Sequence, residues 1–224
     1  MPSRHLSTRS IALGAMAALF AFPVLVIAAN IAQRDSYNAE SEAVSNLALG
    51  QGGWLMTMAF VALGTGTLLV AAMVRRLASR AIVGPVLLTA GASTTFLSAV
   101  FQTDAEGANP TLHGTIHMAL GVGSFLLVVA SIAACTITFL RSGSRRGVGM
   151  ASAVCGLAAI GGAVMTFALP DSLFGIGQRA FLAAAIAWML MISVVALKTS
   201  REHGRTFDAM TSEAVAGGAK LGSA

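Results

Sequence analysis

The chain reads as an all-α protein, a bundle of six transmembrane helices with both termini cytoplasmic. Three observations predict it. Hydrophobic residues make up 56% of the sequence and charged residues only 10%, whereas a soluble domain is about a quarter charged and needs that charge to cover its surface. The apolar residues also fall in blocks of roughly twenty, the length a helix needs to cross ~30 Å of hydrocarbon. Finally, the arginines gather at alternate connections between those blocks.

Residues 1–10 are polar and basic, and Ile11 to Ala29 is the first apolar run, broken only by Pro23. A signal peptide cut near Ala28 and Ala29 would begin the same way, but this run is long for a signal core and passes into Asn30-Ile31-Ala32 without a break. An uncleaved helix is the expectation. The loop that follows carries Asp35, Glu40 and Glu42 against Arg34, and its second half, AVSNLALG, is apolar enough to lie on the membrane or dip into the bundle. Trp54 stands where an interfacial aromatic is expected, before a second helix over 55–74 that stops at Arg75, Arg76 and Arg80.

The third helix is expected over 82–101, with small or hydroxylated residues from Gly91 to Thr95 that suit close helix packing. A polar loop leads to Pro110, and Thr111 is placed to cap the fourth helix, over 113–140, which ends at Arg141, Arg145 and Arg146. A fifth helix spans 148–169. A sixth spans 181–197 after the loop DSLFGIGQR, and a disordered cytoplasmic tail is expected over 198–224.

If the first, third and fifth connections share one side, that side holds only Arg34 and Arg179, leaving twelve of the fourteen Lys and Arg on the other. Basic residues near helix ends stay cytoplasmic, so both termini are inside, as an even number of crossings requires. The net charge of +5 is therefore a topology signal and a means of contacting anionic lipid, and does not point to nucleic acid. Six of the nine acids fall on the outer side with the remaining polar residues of interest.

Those residues centre on FQTDAEGANPTLHGTIH, from Phe101 to His117. His113 and His117 are i and i+4, one turn apart on one helix face, a spacing that can hold a divalent metal such as zinc. Asp104 is the nearest third ligand, with Glu42, Glu106 and Asp171 on the same side. A zinc-bound water with Ser45 orienting it would make a hydrolase for a lipid or amide at the outer leaflet. The competing reading is structural: the histidines bond to loop carbonyls or to Asp104, and the stretch anchors a polar cap in a structural, lipid-contacting or accessory membrane protein. Arg179, Gln178 and Asn109 are candidates for contact with a lipid head group, or Arg179 for a charge pair with Asp104.

Internal bis-histidine haem is not expected, because His113 and His117 share one helix and His5 and His203 lie in cytoplasmic segments; a haem would need its other ligand from a partner subunit or a methionine. Cys135 and Cys155 read as packing residues on the reducing side. No charged residue occupies the middle of any span, which argues against an ion pump or charge-coupled transporter. Gly-rich fourth and fifth helices permit close packing within the bundle, between copies, or against a partner membrane subunit.

Three stretches, SNLALGQGGWLMTMAFVALGTG, FQTD with PTLHGTIH, and GIGQRAFLAAAIAWML, resemble a family known as domain of unknown function 998, multi-pass membrane proteins of bacteria and archaea. The resemblance runs from about Ile11 to Leu197. It implies a six-helix domain in a prokaryotic plasma membrane with a polar site at the outer face, and no settled activity. Members often have proline at the position of Gln102 and an acid at that of Asn46, so a mechanism needing a carboxylate beside Ser45 is not carried over. In residue types alone, Ser45, Asp104, His113 and His117 are also similar to the ceramidase and progestin-receptor-like membrane hydrolases, whose seven-helix arrangement differs.

Overall fold

A computed structural model describes residues 7–105 and 107–221, with side chains described as far as residue 202. Six helices follow in order: α1 Thr8–Ala32, α2 Trp54–Leu77, α3 Val83–Ser98, α4 Leu112–Arg141, α5 Arg146–Ala168 and α6 Phe174–Leu221. Each packs on its neighbour in sequence, and α6 closes the ring by packing on α1 and α2. This is a multi-pass membrane protein. All of the helices except α3 are long and apolar enough to span a bilayer. At 16 residues, α3 is about 24 Å long, short of the ~30 Å of hydrocarbon.

The caps are local and legible. Ser7 Oγ accepts the Ser10 amide at 3.0 Å at the start of α1, and Thr111 Oγ1 accepts the Gly114 amide at 3.1 Å at the start of α4. Each satisfies a donor that the first helical turn leaves without an intrahelical partner. At the opposite end of the bundle, Arg75 donates to the carbonyls of Ser79 and Ala81 at 3.0 and 2.6 Å. Arg145 reaches the carbonyl of Leu77. The arginines at this end therefore hold the α2–α3 turn and dock α5 onto it.

The core runs along α6 and α2. Trp188 is fully buried and donates its indole N–H to Ser152 Oγ at 3.0 Å, so α5 and α6 are joined by a polar contact at depth. Their approach is close: a Cβ on Gly162 would collide with the Phe181 backbone, and one on Gly177 with that of Thr166. Small residues allow such approach where lipid supplies no hydrophobic drive between helices. Val154, Leu157 and Ile160 of α5, with Phe20, Val24 and Ile27 of α1, remain exposed and form the surface offered to lipid. Cys135 and Cys155 are free thiols, Cys135 packing over Gly84.

Some boundaries differ from expectation. The third helix ends at Ser98, not at 101, because the chain turns there, with the Val100 and Phe101 amides both bonded to the Leu97 carbonyl. The sixth begins at Phe174, seven residues before 181, because Gly175 and Gly177 let its first turns press against other backbone. It also runs on to Leu221 across the residues expected to be a disordered tail. That stretch contains no proline, and extending an existing helix costs far less than nucleating one. The AVSNLALG segment takes the inward option, a 3-10 turn at Val44–Ala48 that buries Val44, Ser45 and Leu47.

Candidate functional site

The end of the bundle that carries the 33–53 loop is closed by that loop. Gln33, almost fully buried, donates to the Leu47 carbonyl at 2.8 Å and so folds the loop back on itself. Tyr37 donates to the carbonyls of Glu42 and Ala43 at 3.2 and 3.0 Å. The start of α6 then clasps the loop. The Val44 amide donates to Gln178 Oε1 at 2.6 Å, and the Ile176 amide to the Glu40 carbonyl at 3.0 Å. Arg179 donates to the Glu42 carbonyl at 3.2 Å, to the Gly175 carbonyl at 3.0 Å and to the Tyr37 hydroxyl. Its guanidinium also lies 5.6 Å from the centre of the Tyr37 ring, within cation–π range. Burial raises the Tyr37 pKa above 10.0, against an opposing pull from the Arg179 hydrogen bond and charge.

The second half of this end is the stretch from Phe101 to His117. Asp104 accepts the Thr111 amide on Oδ2 at 2.8 Å and the Thr111 hydroxyl on Oδ1 at 2.6 Å. Thr111 in turn caps α4. The carboxylate lies directly over Gly114, where a Cβ would collide with it, so the glycine of the HGxxH pattern is the space in which Asp104 sits. The two Thr111 hydrogen bonds hold the Asp104 pKa below 3.8, and a negative charge beside a helix N-terminus is favourable in its own right.

The two histidines part company. His117 is buried, and its Nδ1 is 2.7 Å from the Phe101 carbonyl. A carbonyl can only accept, so Nδ1 carries the proton. Its ring meets that of Phe60 edge-on at 6.0 Å. His113, a turn nearer the helix end, is exposed and lies against the Phe101 ring at 5.3 Å. Of the donors expected to share a metal, Asp104 bonds Thr111, and His117 bonds the Phe101 carbonyl through Nδ1. Among the described residues no three His, Cys, Asp or Glu are grouped to hold a metal ion. Glu106 lies outside the described residues, as do His5 and the His203 side chain. Arg179 turns to the first loop and not to Asp104, and Asn109 is exposed.

Ser45, Asp104, His117 and Gln178 do meet around one space. A chamber of about 550 Å³ opens at this end between the first loop, α4, α5 and the start of α6. Its rim is polar, with Glu42, Asn46, Thr103, Asp104, Asp171 and Ser172. Its floor is apolar, with Met118, Val122, Phe125, Phe167 and Phe174. A smaller chamber of about 80 Å³ lies deeper and shares Ser45, His117, Gly121, Phe125 and Gln178 with the first. Gly121 has open space where its side chain would be. Ser45 is 8% exposed and lines both chambers, and its hydroxyl makes no hydrogen bond among the described residues.

Sequence reasoning missed Tyr37, Gly121 and the phenylalanines of the floor. Tyr37 had a signal, as the one tyrosine of the chain placed in an otherwise polar loop. Gly121 and Phe125 follow His117 at four-residue steps along one face of α4, but nothing local marks that face as lining a space.

The family model described as protein of unknown function (DUF998) matches residues 13–195. No curated protein and no solved structure matches the chain. The match covers every element that builds the chamber, and the chain belongs to that family.

Proposed function

We propose that this member of the DUF998 family is a non-catalytic, lipid-contacting protein of a prokaryotic plasma membrane. In this reading the arginine-rich end faces the cytoplasm and the capped end faces out. The outer chamber receives the polar end of a lipid or other amphiphile.

One observation carries the reading: a chamber of about 550 Å³ whose rim is polar and whose floor is apolar. Ligand sites bury their guests against mostly apolar walls and orient them with a few polar groups. A guest with one polar and one apolar end fits both surfaces at once, and a membrane offers such molecules at this depth. The cap has a matching role. The 33–53 loop, held by Gln178 and Arg179, forms one wall of the chamber and keeps Ser45 facing it.

The test is native mass spectrometry of protein released from lipid nanodiscs, comparing the wild type with Gly121→Leu. A leucine here would project into open space shared by both chambers, so the bundle should fold while the guest is excluded. One amphiphile retained by the wild type and lost from a folded variant is the expected result. Equal retention by both proteins, or none by either, would overturn the proposal.

A further inference from the structure

We infer that the outer chamber selects a guest with a cationic, ammonium-type head; this rests on the amphiphile reading above and specifies its chemistry. The first ground is charge. Glu42, Asp104 and Asp171 all line the rim, and no lysine or arginine does. The base nearest in the fold, Arg179, is spent on the Glu42 and Gly175 carbonyls and the Tyr37 hydroxyl, and lines a separate groove between α1 and α6. A phosphate or sulfate entering the rim would therefore meet three carboxylates and no counter-charge. An ammonium would meet the opposite.

The second ground is the vacant acceptor capacity of the wall. A carboxylate offers about four lone-pair positions. Asp104 uses two of them on Thr111, Glu42 accepts from the Asn38 amide and the Asn46 side chain, and the exposed Asp171 carboxylate has no hydrogen-bond partner among the described residues. Ser45, nine-tenths buried, adds a hydroxyl that has no hydrogen-bond partner among those residues and lies on the wall of the same space. That hydroxyl is not among the fully enclosed polar atoms without a partner, so it is reachable from the chamber and available to a polar guest.

The third ground is aromatic. Phe125 and Phe167 meet at 5.4 Å with their planes at 69°, and Phe167 and Phe174 at 6.3 Å and 87°. All three line the chamber. One face of Phe125 is covered by Phe181, stacked at 3.8 Å, so the π surfaces left to a cation are chiefly those of Phe167 and Phe174, and such surfaces attract cations, quaternary ammonium above all. The combination of acids and phenylalanines around one space is what selects the ammonium over a neutral head.

Ammonium chemistry can arrive on a membrane amphiphile or on a small soluble cation, and the experiment separates them. Binding of dodecyltrimethylammonium, dodecyl phosphate and tetramethylammonium is measured by calorimetry on the full chain in maltoside detergent. The cationic dodecyl probe should bind at least roughly tenfold more tightly than the anionic one, a ratio worth about 1.4 kcal/mol. Asp171→Asn, which breaks no hydrogen bond made by that side chain among the described residues, should shrink the ratio, and Gly121→Leu should abolish binding of both. Equal or tighter binding of dodecyl phosphate would overturn the head-group assignment and leave the amphiphile reading standing. Tetramethylammonium binding as tightly as its dodecyl counterpart would uphold the ammonium head and remove the lipid as its source. Binding unaffected by Gly121→Leu would place the probes outside the chamber and overturn both.

Discussion

Replacing Gly175 with alanine separates the cap from the bundle without deleting any hydrogen-bonding group. The added Cβ would lie 2.5, 2.6 and 2.8 Å from the carbonyl oxygens of Ala39, Glu42 and Glu40. A carbon and a carbonyl oxygen in contact ordinarily stay roughly 3.3 Å or more apart, so the loop must withdraw by about 0.5–0.8 Å. The atoms in the way are backbone, which no rotamer change can move. Withdrawal on that scale carries the Ile176–Glu40 bond at 3.0 Å and the Arg179–Glu42 bond at 3.2 Å to the limit of hydrogen bonding or past it. Overpacking costs about 1–3 kcal/mol and each weakened bond about 1 kcal/mol. Because retreat relieves the overlap as it stretches the bonds, the two terms overlap, and about 2–4 kcal/mol in total is expected. That corresponds to a fall of roughly 5–15 °C in Tm. Tyr37 supplies the local readout, being the one tyrosine in the chain. In the wild type, burial holds its ionisation above pH 10.0, and that outweighs the pull of Arg179. Release of the loop should move an ultraviolet tyrosinate titration down towards 10.0. The folded state holds the phenolic proton more tightly, so this contribution to stability is intact below pH 10 and fades as pH rises through the folded value. A Gly175→Ala protein with unchanged Tm and unchanged Tyr37 titration would refute the docking of the loop on α6.

Three further expectations concern the other half of the capped end. The Asp104 pKa is lowered by Thr111, so its contribution is present above pH 3.8 and lost as pH falls through the folded value; Asp104→Asn should remove that acid limb from a plot of Tm against pH. Gly114→Ala puts a methyl group where the carboxylate sits and should erase the same limb, so that combining it with Asp104→Asn changes the pH dependence no further, as a double-mutant cycle can show. His117→Ala strips the Phe101 carbonyl of its donor and opens space beside Phe60, for about 2–4 kcal/mol. His113→Ala, at an exposed position, should cost under about 1 kcal/mol, and equal losses in detergent unfolding would contradict their separation.

The histidine pair shows how far the sequence could be read. Spacing of i and i+4 correctly puts His113 and His117 on one side of α4, but at a helix end one turn is about 5.4 Å of depth. That step takes His113 outside and buries His117 beneath the Phe101 carbonyl. The structural reading of the pair needed the turn after Ser98, which brings Phe101 back over α4, and no periodicity within either helix encodes that turn. Arg179 is the same case at longer range, since its partners Tyr37 and Glu42 lie 142 and 137 residues away in sequence.

Class and frame were legible in the residues alone: a membrane protein, six helices, and most arginines and most acids sorted to opposite ends. Those follow from constraints that act locally, because a backbone in hydrocarbon must satisfy its own hydrogen bonds and every span must be apolar for its whole length. Tertiary structure alone decided that Asp104 braces a helix cap, that Arg179 holds the first loop, and that Ser45, His117 and Gly121 face one chamber. These depend on which helix faces meet and how deep each residue lies, and the apolar composition that marks a span is nearly uniform around its circumference.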